Sequence, residues 1–561
     1  MNLPQPTNFS YSSLVNEIEK GEIKIPQFQR EFVWDLKMSA NLIDSIVKGY
    51  PIGTFIFWKT KDRLRSIRNL GNLVLPEPHE GDSINYVLDG QQRLTSLFIA
   101  IKGLSISRIE NKSEDFSEMY IDLSASDENQ IVKTKYEILE INKNFIKVTD
   151  LLKGDFTLLA SYPQEYHTKI NSYKKNFESY NFSVILVKEV PIDIATEIFT
   201  RINIGGKSLT LFEIMVAKTY DSVRDFDLSE KYNSLIKELE NVKYETISEA
   251  TVLQTISILL IKDCTRKNIL RLEKAKIIDI WETAIDSIKS TVDYFKSYYR
   301  IPVSRLLPYN ALIIPFSYFF FKHKDKPLGF QQKYLEDFFW RCSISGRYSS
   351  AVESKLAQDI LKIDSILEEK IPEYEWSVNP TPDFILNNGY FSTGRSFIKA
   401  ILSIYSYHQP KSFVDNSIVN IDNAYLKIAS SKNYHHFFPK AFLTKLKKFD
   451  WSEINNVLNI TIVDDYLNKR EIKDKAPSIY LKKFQNNMGL KKTLLSHLID
   501  IDKSGALKDD FKEFLTHRAK LVSSELLKRI VLTENEKKVE VTLEYDQSDD
   551  GDLEGVVDEI V

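Results

Sequence analysis

Two adjacent histidines, His435 and His436, are the residues of this 561-residue chain best suited to hydrolytic chemistry. A neutral imidazole can take a proton from water near pH 7. Hard divalent ions prefer oxygen ligands and tolerate a single imidazole. One interpretation therefore makes His436 a general base and assigns His435 and Asn468 to a metal ion. The alternative is a pair of ordinary surface or core histidines beside an asparagine-rich loop.

A second stretch with chemical potential runs from Asp89 through Gly90, Gln91 and Gln92 to Arg93. Apolar residues before it predict a strand, and apolar residues after it recur at helical spacing, so it lies at a strand-to-helix turn. The first amides of a helix have no intrahelical partner and favour phosphate. Arg93 would add a charge-assisted clamp. The alternative is a capped turn with a surface arginine.

The elements around these residues predict an α+β fold. Residues 1–220 alternate between strand and helix patterns and form a first domain. Helices are expected at Leu14–Ile18, Leu36–Val47 and Ile192–Ile202 and from Leu211 onward, and strands at Thr54–Trp58, Ile84–Leu88, Met119–Leu123, Tyr136–Leu139 and Phe182–Val187.

Beyond residue 220 the pattern is mostly helical. Residues 221–420 predict a helical domain, with apolar-faced runs at Leu253–Leu260, Ile277–Ile288, Ala311–Phe321 and Tyr334–Cys342. Residues 421–535 form a third domain, and within 421–530 basic side chains outnumber acidic ones by roughly eight. Residues 536–561 are acidic and are expected to form a mobile appendage.

Composition excludes several classes of protein. A net charge of −3 excludes a uniformly basic nucleic-acid coat, and two distant cysteines cannot build a zinc cluster by themselves. The chain contains no Gly-x-x-x-x-Gly-Lys-Ser/Thr pattern, so it is not a P-loop NTPase. No signal peptide and no long apolar span are visible. We expect a cytoplasmic protein that makes no use of a membrane.

The histidine region resembles the HNH, or His-Me finger, nucleases with their ββα-metal module. The resemblance covers residues 430–485 and rests on a His-His-x-x-Pro opening, a Leu-Asn-x-Thr return and Asn468 entering a helix. It implies that His436 is the general base, that Asn459 orients this base, and that His435 and Asn468 hold one divalent ion. Mg²⁺ or Mn²⁺ is expected. His435 replaces a residue that is often acidic, which leaves Ni²⁺ open.

The first domain resembles the ParB/sulfiredoxin-like family marked by the DGQQR motif. Four ordered blocks carry this resemblance, and together they are more specific than any one alone. They are Ile25-Pro26-Gln27-Phe28-Gln29-Arg30 with Trp34, Gly49-Tyr50-Pro51-Ile52-Gly53, Asp89 to Leu97, and Phe199 to Thr210.

This second resemblance implies a nucleoside triphosphate, GTP or ATP, as ligand or substrate. Gly90 and the amides of Gln91 and Gln92 would cradle phosphate, and Arg93 would pair with it. Asp89 would hold a metal ion or an attacking water. Four more residues are expected to approach the same cleft, namely Gln27, Arg30, Arg201 and Asn203. For the arginines, a buried ion pair with a carboxylate is the alternative.

Chains that pair these two modules resemble modification-dependent restriction endonucleases of bacterial anti-phage defence and the phosphorothioate-sensing nicking effector. The resemblance implies a nucleotide-regulated endonuclease or nickase that acts on DNA, including modified phage DNA, with a homodimer left open. The rival interpretation is a ParB-like nucleotide- and DNA-binding regulator with an inactive HNH module. A third interpretation is an RNA-cutting toxin.

Overall fold

The computed structural model describes residues 3–26, 28–29, 32–64, 69–70, 73–79, 81–107, 113–126, 128–202, 210–221, 223–423, 426, 434–463, 472–533 and 536. The fold is mixed, about half helical with small sheets. The chain divides into two compact units, Met1–Leu228 and Ser229–Val561. The predicted division of the second unit into a helical domain and a nuclease domain stays a prediction.

The first unit interleaves strands with helices. Its strands are β1 Gln5–Ser10, β2 Ile23–Lys24, β3 Phe55–Thr60, β4 Asn69–Leu70, β5 Leu73–Val74, β6 Ile84–Asp89, β7 Ser105–Ser107, β8 Ser113–Asp115, β9 Met119–Asp122, β10 Val132–Thr134, β11 Phe145–Lys147 and β12 Asn181–Lys188. Its helices are α1 Tyr11–Glu19, α2 Leu36–Val47, α3 Gln91–Lys102, α4 Val148–Lys153, α5 Phe156–Ala160, α6 Gln164–Glu178, α7 Ile192–Ile202 and α8 Leu211–Thr219.

A five-stranded sheet of order β1-β12-β3-β6-β2 organises this unit. Its β12–β3 and β6–β2 pairs are parallel, whereas β1–β12 and β3–β6 are antiparallel. The β3–β6 register shifts between Ile56 and Phe57, and Ile56 pairs with Asp89. Bulges of this kind re-aim side chains at the end of a ladder. The irregularity therefore falls where β6 meets the predicted phosphate turn.

Capping side chains set the ends of the helices beside this sheet. Asp35 accepts a hydrogen bond from the amide of Met38 at the start of α2, and Thr210 and Glu213 form a reciprocal capping box at the start of α8. Helix α2 has the predicted bounds, as does α7. The apolar face of α2, on which Ile43 and Ile46 are fully buried, packs into the core that also contains residues of α3 and of the sheet.

One strand prediction in this unit is wrong. Tyr136–Leu139 is not a strand, because Lys135–Glu137 form a short 3₁₀ turn. Glu137 Oε2 accepts hydrogen bonds from the amide and the hydroxyl of Thr134, which favours a turn over an extended ladder. Tyr136 and Leu139 are exposed, so no core demanded a strand here.

The second unit is mainly helical. Its helices are α9 Leu228–Glu240, α10 Glu249–Ile261, α11 Arg266–Arg271, α12 Lys274–Ser297, α13 Ile313–Lys322, α14 Gly329–Ile344, α15 Val352–Leu367, α16 Pro382–Asn387, α17 Ser396–Tyr407, α18 Lys440–Leu446, α19 Trp451–Ile454, α20 Pro477–Tyr480, α21 Leu490–Leu495 and α22 Phe511–Leu527. Its strands are β13 Tyr434–His436 and β14 Ile460–Ile462, which pair antiparallel.

Aromatic side chains fill the core of its helical layer. Tyr299 stacks on Phe339 with ring centroids 4.2 Å apart, and Phe295 and Phe316 meet edge to face at 4.9 Å. Both cysteines are buried and unbonded to each other. Within the described ranges, no helix combines the length and the apolar character that crossing a bilayer requires.

Candidate functional site

The two histidines lie on strand β13 and border one cleft. His435 pairs with Thr461 and His436 with Ile460 across the short β13–β14 ladder. Neighbours on a strand point to opposite faces, and accordingly His435 is buried while His436 is partly exposed. The cleft has a volume of about 240 Å³ and is lined by both histidines together with Tyr434, Pro439, Lys440, Ala441 and Lys473. We call it the histidine cleft.

His436 has a defined partner. Its Nε2 lies 3.0 Å from Oδ1 of Asn455, and the Asn455 amide nitrogen donates to the carbonyl of Phe391 at 3.3 Å. The second bond orients the amide, so its oxygen faces the imidazole and Nε2 must carry the proton. Nδ1 of His436 is then the nitrogen with the lone pair. An imidazole in this state can accept a proton.

Partial burial and a neighbouring charge keep His436 neutral. Desolvation lowers the pKa of His436 to about 3, and the charge of Lys440 adds to the effect, whereas the bond to Asn455 opposes it. The group is therefore uncharged at pH 7. This protonation state is the one that a general base requires.

His435 offers a nitrogen without a partner. Its Nδ1 is buried and has no hydrogen-bond partner among the described residues. Desolvation lowers the pKa of His435 to about 3, so the ring is neutral. A buried, neutral, unsatisfied nitrogen fits a metal ligand. The second predicted ligand, Asn468, lies outside the described residues, and no group of three His, Cys, Asp or Glu side chains arranged to hold a metal occurs within them.

Asn459 stabilises the segment that follows His436. Its side chain is fully buried and donates to the carbonyls of Phe438 and Ile454 at 3.0 Å, while its oxygen accepts the Phe438 amide at 2.8 Å. These contacts reach the backbone two residues after His436. Orientation of the base by Asn459 stays a prediction, and the amide in contact with the ring belongs to Asn455.

Two lysines complete the histidine cleft. Lys440 begins α18 directly after Pro439, and its Nζ lies 4.6 Å from the ring centroid of the exposed Trp451. Burial lowers the pKa of Lys440. Lys473 borders the cleft from the segment before α20. Sequence reasoning assigned no role to Lys440, Lys473 or Asn455, although Lys440 adjoins the recognised His-His-x-x-Pro pattern.

A buried arginine supports the strand opposite the histidines. The guanidinium of Arg518 on α22 donates to the carbonyls of Leu458 and Ile460 at 2.7 Å and of His497 at 2.8 Å. Ile460 is the residue that pairs with His436. Arg518 therefore binds β14 at Ile460 and the residues before it at Leu458, and Tyr405 covers its face at 4.3 Å.

In the first unit, the predicted turn between β6 and α3 is present. Gly90 adopts φ +89° and precedes the first helical residue, Gln91. A Cβ at Gly90 would lie 2.4 Å from Cδ1 of Phe55, so both the backbone conformation and the space require glycine. Asp89 ends β6 beside this bend.

The Arg93 side chain is hydrogen-bonded to other residues of the protein. Its guanidinium donates to the carbonyls of Ile52 at 2.7 Å and Thr54 at 3.0 Å, and to the Asp89 carboxylate at 3.1 Å. A Cβ at Gly53 would come within 2.5 Å of Arg93 Nη1, which explains the glycine there. Arg93 thus fastens the Gly49–Gly53 block to the turn. Its pairing with phosphate stays a prediction.

The two glutamines of the motif are buried and connect to a further block. Gln92 Oε1 accepts the Val33 amide at 2.9 Å, and its nitrogen donates to Gln91 Oε1 at 2.8 Å. Gln29 Nε2 donates to the carbonyls of Val87 and Leu88 at 3.0 Å. Three of the four predicted blocks therefore meet at this turn, while Gln27, Arg30 and Asn203 lie outside the described residues.

The fourth block meets the first through an aromatic contact. The rings of Phe28 and Phe199 pack edge to face at 5.5 Å. Arg201, at the end of α7, pairs with Glu197 at 2.5 Å, and both side chains are exposed. The alternative of a buried ion pair at Arg201 is therefore wrong. Its expected approach to nucleotide is untested.

Comparison with known proteins finds a family match within the first unit. Residues 11–220 match the family described as GmrSD restriction endonuclease, N-terminal domain. This match supports the assignment of the chain to a GmrSD-like restriction system. Such an assignment suggests an endonuclease-type function in defence and implies an interaction with DNA. The chain is also similar to an uncharacterised protein of Methanocaldococcus jannaschii, with 24% identity over 92% of this chain and 98% of that protein.

Proposed function

We propose that this protein is a metal-dependent DNA endonuclease or nickase whose cutting centre is the histidine cleft and whose activity is controlled by a nucleotide at the β6–α3 turn. One observation carries the proposal for cutting. His436 is neutral, its Nε2 proton is engaged by Asn455, and it borders a cleft that also holds Lys440 and Lys473. Neutral base and cationic walls are the two features that hydrolysis of a phosphodiester needs from the protein.

In this mechanism Nδ1 of His436 takes a proton from the water that attacks phosphorus. The ammonium groups of Lys440 and Lys473 attract the phosphate and offset its charge. His435 and Asn468 would hold the divalent ion, Mg²⁺ or Mn²⁺, which supplies stabilisation of the charge on the leaving oxygen. Asn455 keeps the base in one tautomer, and Asn459 holds the backbone after it.

Nicking of supercoiled plasmid in Mg²⁺ or Mn²⁺ tests the cutting centre. His436→Ala should abolish nicking, because no other group is proposed to take the proton. His323→Ala is the matched control, since His323 is a histidine of the helical layer whose Nδ1 contacts the Asp325 carbonyl. Nicking by His436→Ala at the wild-type rate would refute the centre. Binding of plasmid without nicking by the wild type would favour the regulator, and cutting of RNA alone would favour the toxin.

We further propose that a nucleoside triphosphate, GTP or ATP, binds at the start of α3. Gly90 permits the left-handed bend that precedes the helix, and the leading amides of the helix, those of Gln91 and Gln92, favour phosphate. Asp89 is one-third exposed at the turn and would hold a metal ion or a water. Gln27, Arg30, Arg201 and Asn203 are the further candidate contacts.

The substitution Asp89→Asn tests the role of the Asp89 charge in nucleotide binding without disturbing the fold of the turn. The amide oxygen can still accept the bond from Arg93, so the turn keeps its partner while the charge is lost. We expect weaker binding of the metal–nucleotide complex in calorimetry, slower hydrolysis, and an unchanged unfolding temperature. Wild-type binding of GTP and ATP by this variant would contradict the assignment of Asp89. A plasmid assay with and without nucleotide then tests control of the nuclease.

A further inference from the structure

A larger cavity than the histidine cleft opens elsewhere in the second unit. Its volume is about 550 Å³, within the range of ligand sites. We call it the Asn487 groove and define it by Asn416, Lys483, Phe484, Asn486, Asn487 and Met488. It contains none of the residues assigned to the cutting centre.

Partly exposed amides that bond to each other and to the backbone make the floor of the Asn487 groove. Asn416 and Asn487 exchange hydrogen bonds at 2.8 and 2.9 Å, and Asn487 also donates to the Phe413 carbonyl at 2.9 Å. Thr493 donates to Asn416 at 2.5 Å. Asn416 holds φ +60°, an unusual conformation that this network maintains. The floor is therefore pre-organised before any ligand arrives.

The rim of the groove presents different chemistry. Lys483 and Asn486 are exposed, and Met488 is fully exposed, at 105% of its reference area. A flexible, fully exposed methionine is costly in water and suits an apolar contact. Asparagine amides can read base edges, and apolar side chains including methionine are used as wedges against base steps. The Lys483 ammonium, the Asn486 amide and the apolar end of Met488 together suit a polynucleotide, which has charged phosphates and flat bases.

One basic segment connects the groove with the histidine cleft. Residues 472–495 contain six lysines and one acidic residue, Asp474. Lys473 of this segment borders the histidine cleft, and Lys483 borders the groove. Charge complementarity along the segment therefore favours an extended anion that reaches both cavities.

Aromatic packing couples the groove to the histidine strand. Phe413 contacts both Phe484 of the groove and Phe437, which follows His436, at 6.2 and 6.5 Å between ring centroids. Tyr480 donates its hydroxyl proton to the Phe437 carbonyl at 2.8 Å. The groove and the base are thus parts of one packed body and keep a constant spacing.

We propose that the Asn487 groove holds the DNA duplex beside the phosphate that is cut, with Lys483 on the backbone and Asn486 and Met488 toward the bases. This inference rests on the proposed DNA cleavage and adds a second contact region that determines where along the duplex the cut falls. Fixed spacing between the groove and the cleft would set the distance between the contacted bases and the scissile phosphate.

Binding to a labelled duplex of about 30 base pairs, long enough to cover an interface of this kind, tests the groove at several salt concentrations. The full-length His436→Ala chain is used, so that cutting does not interfere. Lys483→Gln should weaken binding about fivefold and reduce the slope of log affinity against log salt by about one. Met488→Ala should weaken binding about fivefold with the slope unchanged, because it removes no charge.

Lys267→Gln is the matched control, since it removes one exposed charge from α11, which packs on α10 in the helical layer. Both groove variants change exposed side chains, so their unfolding temperatures should equal that of the parent. Affinities and slopes indistinguishable from Lys267→Gln would overturn the inference. Equal competition by a free mononucleotide would also overturn it, because the groove would then bind a small molecule.

The two proposals fail separately. If the wild type does not nick plasmid but Lys483→Gln still lowers the salt slope, the groove stands and the cutting centre falls. If the wild type nicks, and the groove substitutions change neither binding in the His436→Ala chain nor nicking in the chain that keeps His436, the groove falls and the cutting centre stands.

Discussion

The state of His436 is decided by two neighbours that act in opposite directions. Burial and Lys440 disfavour its charged form, whereas the Asn455 oxygen favours it. Because the first two effects dominate, the ring stays neutral over the whole physiological range. Asn455 therefore acts mainly by orienting the ring, and an amide does this without adding a charge.

Asn455→Asp is expected to shift the pH dependence of nicking. A carboxylate beside the imidazole favours the protonated form and raises the pKa of His436 from its value of about 3. Since the protonated ring cannot act as base, activity should be lost at a higher pH than in the wild type as the solution is acidified. The rate of nicking from pH 3 to 8, a range that includes the wild-type pKa of about 3, measures the shift. An unchanged acidic limb would show that His436 does not supply the base.

Gly90→Ala is expected to destabilise the first unit by about 2–4 kcal/mol, from left-handed strain plus overlap with a packed ring. The overlap arises because the new Cβ would lie 2.4 Å from Phe55. Gly81→Ala is the matched control, since Gly81 likewise has a positive φ, +95°, but no atom of the described residues lies within 4 Å of the added Cβ. Denaturant unfolding measures both. Equal decreases in the free energy of unfolding for Gly90→Ala and Gly81→Ala would mean that the Phe55 ring moves aside at little cost.

The histidines lie on one of two short strands in the second unit. Strands β13 and β14 have three residues each, too few for independent stability. Arg518 compensates by binding the carbonyls of Leu458 and Ile460 from α22. The placement of the proposed base therefore depends on a helix that lies more than fifty residues further along the chain.

Arg518→Leu is expected to lower the free energy of unfolding by about 3 kcal/mol, because three buried carbonyls lose their donor. It should also reduce nicking at temperatures well below unfolding, since β14 loosens. Lys520→Leu, an exposed change on the same helix, is the control. Denaturant unfolding and plasmid nicking are measured on both. Full activity of Arg518→Leu below its unfolding temperature would show that β14 is held without it.

At the scale of the whole molecule, buried neutral histidines make stability depend on pH. Burial lowers the pKa of His435 and His436 to about 3 and that of His497 to about 4, from an ordinary value of 6.5. The unfolded chain binds these protons near pH 6.5, whereas the folded chain does not until the pH is much lower. Protonation therefore favours unfolding, and stability falls as the pH drops below 6.5.

Each such histidine should contribute a slope of about 1.4 kcal/mol per pH unit in this window. His497→Gln is expected to reduce the dependence of unfolding free energy on pH, between pH 6.5 and 4, by the contribution of one histidine. The glutamine amide can still donate a hydrogen bond to the Lys411 carbonyl. His79→Gln, a histidine of the first unit outside these three, is the control. Urea unfolding across this pH range provides the measurement, and an unchanged slope for His497→Gln would contradict the burial argument.

Local patterns were sufficient to predict most elements near the sites. Helices α2 and α7 follow from apolar spacing and, for α2, from its Asp35 cap, and the β6–α3 turn follows from an apolar run, a glycine and a second apolar period. The apolar residues of Tyr136–Leu139 favour a strand, but the Thr134 and Glu137 side chains form a capping box that makes a 3₁₀ turn there. Periodicity cannot distinguish these cases when no core contact is known.

The sequence by itself indicated the candidate residues and regions: the adjacent histidines, the glycine turn before α3 and the basic character of residues 421–530. Only the tertiary structure decided their partners. It placed Asn455 on His436, directed Arg93 to the carbonyls of Ile52 and Thr54, and brought Lys473 to the histidine cleft. The physical reason is that a residue's type and local spacing are encoded along the chain, whereas hydrogen-bond partners distant in sequence are selected only when the core packs.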